Sequence, residues 1–257
     1  MYKISCVNYL NSRPFIDGLQ KAAVKDFDLS LDVPSVCADK LLSGEADIGL
    51  VPIALLPEIK DCHILSSYCI GADGPVDTVL MVSDVPLQEI RTIARDPHSR
   101  TSVLLARMLA ESFWKIRPSW QDGITSIGGQ TAGVVIGDKA FEARKKFAHV
   151  WDLSEEWKKY TSLSGHGALP FVFACWVANK PIHEEFVKRF NDALLAGLDR
   201  RSGLAAELAD EYPGVPVLRY LTGSISYFLD DRKKKAMDLF LGYAKKANLP
   251  QEEKEGL

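Results

Sequence analysis

The sequence lacks the features that mark membrane proteins and nucleic-acid-binding proteins. No stretch of its 257 residues reaches the roughly 18 consecutive apolar residues of a membrane-spanning helix. Its 31 Lys and Arg residues are balanced by 34 Asp and Glu residues, which leaves a formal net charge of -3. Without a basic excess, the chain has no electrostatic footprint for a phosphate backbone or an anionic membrane. We therefore predict that its partner is a small molecule.

Signals for metal sites, disulfides and secretion are also missing. The cysteines, 5 in number, are scattered without a Cys-x-x-Cys pair, and no histidines stand at metal-ligand spacing. The opening residues, MYKISCVNYL, contain neither the apolar core nor the small-residue cleavage site of a secretory signal. We predict reduced thiols, no bound metal and a cytoplasmic location.

What the sequence does contain is an alternation of strand-like and helix-like segments. Pro14 suits the first turn of a helix, because its fixed φ and missing N–H cost nothing there. Ser35 is a predicted N-cap, and Gly44 is the predicted left-handed end of the same helix. The resulting βαβαβ order is typical of an open α/β sheet. The predicted elements are a strand at residues 2–7, a helix at 14–23, a strand at 27–33, a helix at 35–42 and a strand at 46–51.

The same order begins again after the apolar, β-branched run VDTVLMVS at residues 76–83. Asp138 is a predicted N-cap in this second unit. A long apolar strand at residues 169–178 follows, and the rest of the chain has helical periodicity. The other predicted elements are strands at residues 90–95 and 134–136, helices at 101–113, 138–147, 186–198, 203–212 and 229–248, and a frayed end at 251–257.

Two such units joined by two crossing strands, at residues 76–83 and 169–178, predict a clamshell of two α/β lobes. This is the architecture of type II periplasmic binding proteins. We expect lobe 1 to contain residues 1–82 and 177–257, with the C-terminal helices packed on it, and lobe 2 to contain residues 83–176. Ligands in such folds bind in the cleft, at the carboxyl ends of strands.

Other conspicuous side chains have structural interpretations. Trp114, Trp120, Trp151 and Trp157 are predicted to pack in the core or between the lobes. The consecutive lysines at residues 233–235 are predicted to lie on the solvated face of the last helix.

The stretch NYLNSRPF, residues 8–15, places polar side chains where the first strand gives way to a helix. Because this loop lies at the carboxyl end of a strand, Asn11, Ser12 and Arg13 are predicted to face the cleft and contact the ligand. The structural alternative is that Asn11 or Ser12 only caps the helix.

A second polar stretch, Ser99 to Ser102, repeats this arrangement in the second unit. The free N–H groups and the dipole of a helix N-terminus attract an anion. Two such termini, one from each lobe, would converge on one cleft and suit a ligand with two acidic groups. Capping by Ser99 or Thr101 is again the alternative, but capping does not require four polar residues in succession.

Several segments, taken together and in this order, resemble the chorismate dehydratase family of the futalosine route to menaquinone. The resemblance covers residues 1 to about 245 and implies a periplasmic-binding-protein fold without a cofactor. It also implies removal of water from chorismate to give 3-[(1-carboxyvinyl)oxy]benzoate. The segments are VNYLNSRPF (7–15), GEADIGLVPIA (44–54), DGPV and VLMVS (73–83), SRTS (99–102), IGDKA (136–140) and LPFVFACW (169–176).

The resemblance also implies roles for single residues. By position, the family's essential asparagine corresponds to Asn11, and its hinge-strand serine corresponds to Thr78, which keeps the hydroxyl. The chain departs from the family after Trp157, where the connection to the next strand is longer and rich in glycine. This departure indicates either an extended loop beside the cleft at residues 161–168 or a change in the chemistry. The SRTS match implies substrate-binding roles for Ser99, Arg100, Thr101 and Ser102.

Chorismate has the properties that two helix N-termini would favour, because it carries a ring carboxylate and an enolpyruvyl carboxylate. Loss of its ring hydroxyl and a neighbouring hydrogen yields an aromatic ring, so the enzyme mainly has to hold one conformer and stabilise charge. The motifs contain no evident general base: Asp47 lies in an apolar strand, Asp138 is an expected cap, and His98 and His166 are expected on surface loops. We hypothesise that the enolpyruvyl carboxylate itself takes the proton, while Asn11 orients that arm or assists the departing hydroxyl.

Two other functions stay open on the sequence. A non-catalytic solute-binding protein has the same clamshell, but such proteins normally work outside the inner membrane and carry a signal peptide. The sister enzyme of the pathway, 1,4-dihydroxy-6-naphthoate synthase, acts on a cyclised futalosine derivative and shares the fold. The stretches at residues 7–15 and 99–102 favour the dehydratase over the sister enzyme.

Overall fold

The computed structural model of the chain describes residues 1–22, 26–124 and 127–247. Within these residues, eleven strands form two mixed sheets, one of six strands and one of five. The strands are β1 (Tyr2–Val7), β2 (Phe27–Asp32), β3 (Ile48–Pro52), β4 (His63–Ala72), β5 (Val79–Ser83), β6 (Thr92–Arg95), β7 (Ser119–Asp122), β8 (Thr131–Ile136), β9 (His149–Asp152), β10 (Phe171–Ala178) and β11 (Ser226–Phe228).

Helices flank both sheets and continue to the end of the described chain. Two of them are followed directly by π-helical turns, at Ala110–Trp114 and Tyr220–Ser224. The helices are α1 (Arg13–Lys21), α2 (Pro34–Ser43), α3 (Arg100–Leu109), α4 (Ala140–Lys146), α5 (Leu153–Leu163), α6 (Glu184–Asp199), α7 (Arg201–Glu207), α8 (Val217–Arg219) and α9 (Asp231–Ala247).

The six-stranded sheet has the order β11-β4-β10-β3-β1-β2. Strand β1 pairs in parallel with β2 and β3, whereas β10 runs antiparallel between β3 and β4. Helix α6 packs on α1 so closely that a Cβ at Gly18 would collide with the backbone carbonyl of Ala193, and one at Gly197 with that of Pro14. Helix α6 also packs on β4, and α9 packs on β10, so both C-terminal helices lie on this sheet.

The five-stranded sheet has the order β7-β6-β8-β5-β9. Its parallel pairs β6–β7 and β6–β8 form the predicted second α/β unit, and β5 runs antiparallel to β8 and β9. The chain changes sheets in the segments 73–78 and 164–170, since β5 lies wholly in this sheet and β10 wholly in the other. Each strand that was predicted to cross between the lobes therefore lies in a single sheet. The chain crosses between the sheets in the segment that precedes each of these strands.

Most predicted elements are confirmed within one to three residues at their ends, and the differences have local causes. Neither predicted N-cap is one: Val33 caps α2, and Lys139 precedes α4. Strands β4, β7 and β9 and helix α5 are unpredicted elements, and α5 extends to Leu163, so the connection expected at 161–168 is partly helical. The predicted helix end at residue 23, the end of the last helix at 248 and the frayed end at 251–257 lie outside the described residues.

The core contains the predicted tryptophans, but one lysine prediction was wrong. Trp157 is fully buried, and the other three tryptophans pack partly buried against the core. Lys233 is only 1% exposed, because it lies on the same face of α9 as Met237 and Phe240. Its ammonium donates to the Ser226 hydroxyl (2.6 Å) and the Phe228 carbonyl (2.5 Å). Hydrogen bonds thus compensate the burial of this charge.

The helices of the described residues are all too short or too polar to cross a membrane.

Candidate functional site

The cleft between the two sheets encloses a cavity of about 70 Å³. Strands β1, β3 and β8 end at its walls, and α1 and α3 begin there, which is where ligands bind in open α/β sheets. Its polar lining is Tyr9, Asn11, Ser12, Thr78, His98, Ser99, Arg100, Thr101 and Ser102. Its apolar lining is Val7, Pro34, Leu50, Pro52, Ile70, Val79, Ile136, Phe173 and Ala174.

Of the site residues predicted from the sequence, Arg13 alone lies outside this lining. Its guanidinium pairs with Glu211 at 3.3 Å on the surface. Residues that are distant in sequence, such as Asn11, Thr78 and the Ser99–Ser102 stretch, share one cavity. His98, predicted to be a surface histidine, instead lines the cavity half-buried.

The loop that leads into α3 is shaped by Asp96. Its backbone carbonyl accepts a hydrogen bond from the Ser99 N–H (3.1 Å), and its Oδ1 accepts one from the His98 N–H (3.0 Å). Lys139, in the loop after β8, pairs with the buried Asp96 carboxylate at 2.5 Å. The turn after β6 therefore has a fixed shape, with the first residues of α3 directed at the cavity.

The N-terminus of α3 has open backbone donors. Among the described residues, no acceptor binds the N–H groups of Arg100, Thr101 or Ser102, and the Ser99 side chain forms no cap. The Thr101 hydroxyl accepts a hydrogen bond from the Ala54 N–H of the other lobe (3.1 Å), so its own proton is free to point elsewhere. Free amides, a helix dipole and hydroxyls are together a combination that can bind an anionic group.

The N-terminus of α1 is different, because several donors of the turn that leads into it are already used. The Leu10 N–H donates to both carboxylate oxygens of Asp138 (3.1 and 3.3 Å), and the Ser12 N–H donates to the Tyr9 carbonyl (2.9 Å). The Arg13 N–H donates to the Leu10 carbonyl, and Pro14 has none. The two helix N-termini predicted to converge on the cleft therefore differ, since the turn before α1 is partly occupied by the protein's own acceptors.

Neither Asn11 nor Ser12 caps α1 through its side chain. The Asn11 Oδ1 instead accepts a hydrogen bond from the Ser12 hydroxyl (3.0 Å), and the Asn11 backbone carbonyl accepts one from the Tyr227 hydroxyl (3.0 Å). Because the simple capping alternative has no hydrogen bond to support it, the Asn11 amide is left as a group that lines the cavity.

Thr78 follows an unusual backbone conformation at Asp77, whose φ is 67°. A left-handed non-glycine residue costs on the order of 1–3 kcal/mol and persists only where its surroundings hold it. The Asp77 carboxylate accepts hydrogen bonds from Arg219 (2.7 Å) and Ser224 (2.6 Å), and its backbone N–H donates to Asp152 (2.8 Å). These contacts place the Thr78 hydroxyl, which lies 2.6 Å from the Tyr220 hydroxyl.

Contacts across the cleft hold the two lobes together around the cavity. His98 Nδ1 and the Ser35 hydroxyl are 2.8 Å apart. Arg100 pairs with Asp39 (3.4 Å) and Glu58 (3.3 Å) of the opposite lobe, so its guanidinium points at these acids. Such exposed pairs contribute roughly 0–1 kcal/mol each. These contacts are those of a closed cleft, in which the Arg100 side chain connects the two lobes.

The electrostatics of the cavity suit an anion with an apolar body. No Asp or Glu of the described chain lines it, and no group of metal-ligating side chains occurs among the described residues. Burial raises the pKa of Tyr9 to about 12, assisted by the nearby Asp96 and Asp138, so this phenol stays protonated. Burial also raises the pKa of Asp138, although its hydrogen bond with the Leu10 N–H acts in the opposite direction.

Sequence reasoning did not identify Tyr220 or Tyr227 as part of the site. Both are buried and come from the segment between α7 and α9, which contains none of the motifs. In the sequence they are indistinguishable from core aromatics. Only their contacts with Thr78 and Asn11 show that they support the cavity wall.

Comparison with known proteins relates the chain to a biosynthetic family and to proteins with a two-lobed binding fold. A family model described as menaquinone biosynthesis matches residues 2–246. A solved protein from Archaeoglobus fulgidus is similar with a TM-score of 0.69 and 11% identity, covering 97% of this chain and 98% of that one. A Candida albicans gene product with the generic periplasmic binding protein fold has a TM-score of 0.59 and 13% identity, covering 98% and 92%. The periplasmic aliphatic sulphonate binding protein SsuA from Escherichia coli has a TM-score of 0.55 and 16% identity, covering 94% and 91%.

At such low identities the solved structures show the fold. They confirm the predicted two-lobed α/β architecture of the type II periplasmic binding proteins, with the cavity in the cleft between the lobes.

Proposed function

Since the chain belongs to the menaquinone biosynthesis family, we propose that it is a chorismate dehydratase of the futalosine pathway. The observation that carries this proposal is the pairing of one open helix N-terminus, at α3, with a cavity that no described carboxylate lines. Such a cavity suits an anionic substrate that supplies its own base. The predicted cytoplasmic location is part of the same proposal.

The ring carboxylate of chorismate would bind at the α3 terminus. Removal of the hydrogen from the ether-bearing carbon pushes negative charge through the ring onto this carboxylate. The open N–H groups of Arg100, Thr101 and Ser102 would stabilise that dienolate, because preorganised donors act where charge develops.

The enolpyruvyl carboxylate would act as the base. It takes the proton from the ether-bearing carbon, the ring hydroxyl leaves with the electron pair of the C–O bond, and the same proton converts the departing hydroxide to water. The products are one water molecule and 3-[(1-carboxyvinyl)oxy]benzoate, whose aromatic ring drives the reaction. Asn11 would orient the arm, and Thr78 would donate to the departing hydroxyl; both line the cavity.

His98 is the one imidazole beside the cavity among the described residues, and it is the alternative base. Its Nδ1 is engaged with Ser35, which leaves Nε2 available. If the substrate carboxylate is the base, His98→Gln keeps most of the turnover. A loss of about a hundredfold or more in kcat, the scale of general-base catalysis, would assign the proton transfer to His98.

The test of the function mixes the protein with chorismate and follows the cyclohexadiene absorbance, with the product identified by mass. We expect the absorbance to fall and the product mass to be lower by one water. An unchanged spectrum at high enzyme concentration, together with calorimetric binding of chorismate, would favour a solute-binding protein. Turnover of a cyclised futalosine derivative in place of chorismate would identify the sister enzyme, 1,4-dihydroxy-6-naphthoate synthase.

A further inference from the structure

A buried tyrosine from the C-terminal part of the chain, Tyr220, lies directly behind the cavity wall. Its side chain is fully buried, and its hydroxyl is 2.6 Å from the Thr78 hydroxyl, 142 residues away in sequence. Because Thr78 itself lines the cavity, Tyr220 contacts the site from the side opposite to the ligand.

We propose that Tyr220 is a positioning residue, whose phenol aligns the Thr78 hydroxyl as a donor toward the ligand. This inference rests on the proposed dehydration, in which that hydroxyl donates to the leaving group. Tyr220 is not among the residues that line the cavity, so it acts through its neighbours.

The local structure around Tyr220 supports such a role. Tyr220 begins the π-helical turn Tyr220–Ser224, which directly follows the single turn α8. π-helical turns in proteins are frequent at functional sites. At the other end of this turn, the Ser224 hydroxyl donates to the carboxylate of Asp77 (2.6 Å), and Asp77 directly precedes Thr78. One turn therefore contacts both Asp77, with its left-handed backbone, and the Thr78 hydroxyl.

The direction of the hydrogen bonds follows from the acidity of the groups. A phenol is a much better proton donor than an aliphatic hydroxyl, so we assign the donor role between Tyr220 and Thr78 to Tyr220. When Thr78 accepts this bond, its own proton is free to point into the cavity. Tyr220 remains the donor because burial raises its pKa far above the usual value, although hydrogen bonds with Thr78 and Asn11 act in the opposite direction.

The Asn11 amide lines the same cavity beside Thr78. Its Oδ1 accepts from the Ser12 hydroxyl (3.0 Å), which leaves its NH₂ group as the part of the amide that can donate to a ligand.

Tyr227 adds a fixed point for the main chain of Asn11. Its hydroxyl donates to the Asn11 backbone carbonyl (3.0 Å), and its ring packs edge-on against Phe15 at 5.4 Å. The backbone of Asn11 is thus held by Tyr227, whereas the contribution of Tyr220 concerns Thr78.

The experiment compares Tyr220→Phe with the wild type for turnover of chorismate and for its equilibrium binding. Loss of one positioning hydroxyl is expected to lower kcat by about 10- to 100-fold, the range for removal of a hydrogen-bond partner that orients an active group, while the Kd for chorismate changes much less. In a Thr78→Val background, Tyr220→Phe is expected to add little, because the hydroxyl that it aligns is gone. This non-additivity distinguishes positioning from a general loss of packing.

Tyr243→Phe is the matched control. It removes a phenol that donates to Glu111 (2.7 Å) away from the cavity, and it is expected to keep the wild-type kcat. Ser224→Ala gives a second route should Tyr220→Phe fold poorly, since it loosens the turn that carries Tyr220 without changing the phenol, and it is expected to lower kcat at nearly constant Kd.

If the wild type turns over chorismate and folded Tyr220→Phe has the same kcat, the role of Tyr220 is overturned and the proposed function stands. An equal fold-decrease in kcat when Tyr220→Phe is introduced into the wild type and into Thr78→Val would also overturn the role of Tyr220. A wild type that does not consume chorismate would overturn the proposed function, and this role with it.

Discussion

The helix N-termini at α1 and α3 face the same cavity from opposite lobes, but they differ in what they offer a ligand. At α3 the first three N–H groups have no acceptor among the described residues. At α1 the Leu10 N–H is bound by Asp138, whose carboxylate reaches across from the other lobe, and Pro14 contributes no donor. The protein's own carboxylate thus binds the turn that leads into α1.

This difference has a consequence for acid–base chemistry. A carboxylate that accepts several backbone hydrogen bonds has a lowered pKa and is a weak base. A substrate carboxylate at α3 would therefore be stabilised as an anion, which suits the group that receives charge in the reaction. A carboxylate held near α1 by side chains alone would keep its basicity, which suits the group that removes the proton.

The largest expected effect tests the α1 side of this comparison. Asn11→Ala removes the amide that lines the cavity, and we expect a loss of about 2.7–4 kcal/mol of transition-state stabilisation, or roughly a hundredfold to a thousandfold in kcat. Since the Asn11 side chain does not cap α1, the free energy of unfolding should stay nearly unchanged. Kinetics and thermal unfolding measure the two effects separately.

Asn8→Ala is the matched control for this variant, because Asn8 is exposed at the start of the same loop. Its kcat should equal that of the wild type. Asn11→Asp sharpens the test: it should be stable but nearly inactive, since it adds a negative charge beside a dianion. An active, tightly binding Asn11→Asp variant would return Asn11 to a structural role.

The next effect concerns the α3 side. Ser99→Ala and Thr101→Ala should each weaken chorismate binding by roughly 1.5–3 kcal/mol, the cost of a lost hydrogen bond to a charged group. A simple dicarboxylate should compete with chorismate. Calorimetry measures both effects, and Ser162→Ala, at an exposed position, serves as the control. Unchanged affinity in both variants would place the ring carboxylate elsewhere.

A smaller effect tests the asymmetry itself. Asp138→Asn keeps an acceptor for the Leu10 N–H but removes the negative charge at the α1 terminus. We expect dicarboxylates to bind more tightly by roughly 0.3–1 kcal/mol, the scale of a charge at a helix terminus. Weaker binding in this variant would show that Asp138 organises α1 more than it repels anions.

The same variant has a pH signature. Because the folded-state pKa of Asp138 is raised by burial, the folded protein holds this proton more tightly than the unfolded chain. Its contribution to stability is therefore present at low pH and is lost as the pH rises from the ordinary aspartate pKa through the folded value. The dependence of unfolding on pH in this window should be flatter in Asp138→Asn, as measured by denaturant titration.

The smallest effect is expected at Arg13, the predicted site residue outside the cavity. Arg13→Ala breaks an exposed pair with Glu211 and should change the free energy of unfolding by roughly 0–1 kcal/mol, with kcat unchanged. A kcat lowered tenfold or more would show that Arg13 reaches the ligand when the cleft is in use.

The predictions from the sequence succeeded where the signal was local. Apolar runs and helical periodicity located most elements, and the resemblance to a menaquinone-pathway family is confirmed by the family model over residues 2–246. Strands β7 and β9 were unpredicted, because they are four residues long and mostly half-buried, without clear alternation. Lys233 was assigned to the wrong environment, since composition suggested a solvated face whereas its position on α9 faces the core.

Local patterns in the sequence predict the order of most strands and helices, the left-handed end of α2 at Gly44 and the polar stretches at the ends of β1 and β6. These features depend on interactions between neighbours in the chain. The availability of polar groups depends on the tertiary fold instead. Asp138 binds the turn before α1 from 128 residues away, and Tyr220 reaches Thr78 from 142 residues away. Whether a donor is free depends on what the fold brings beside it, and local sequence patterns do not contain that information.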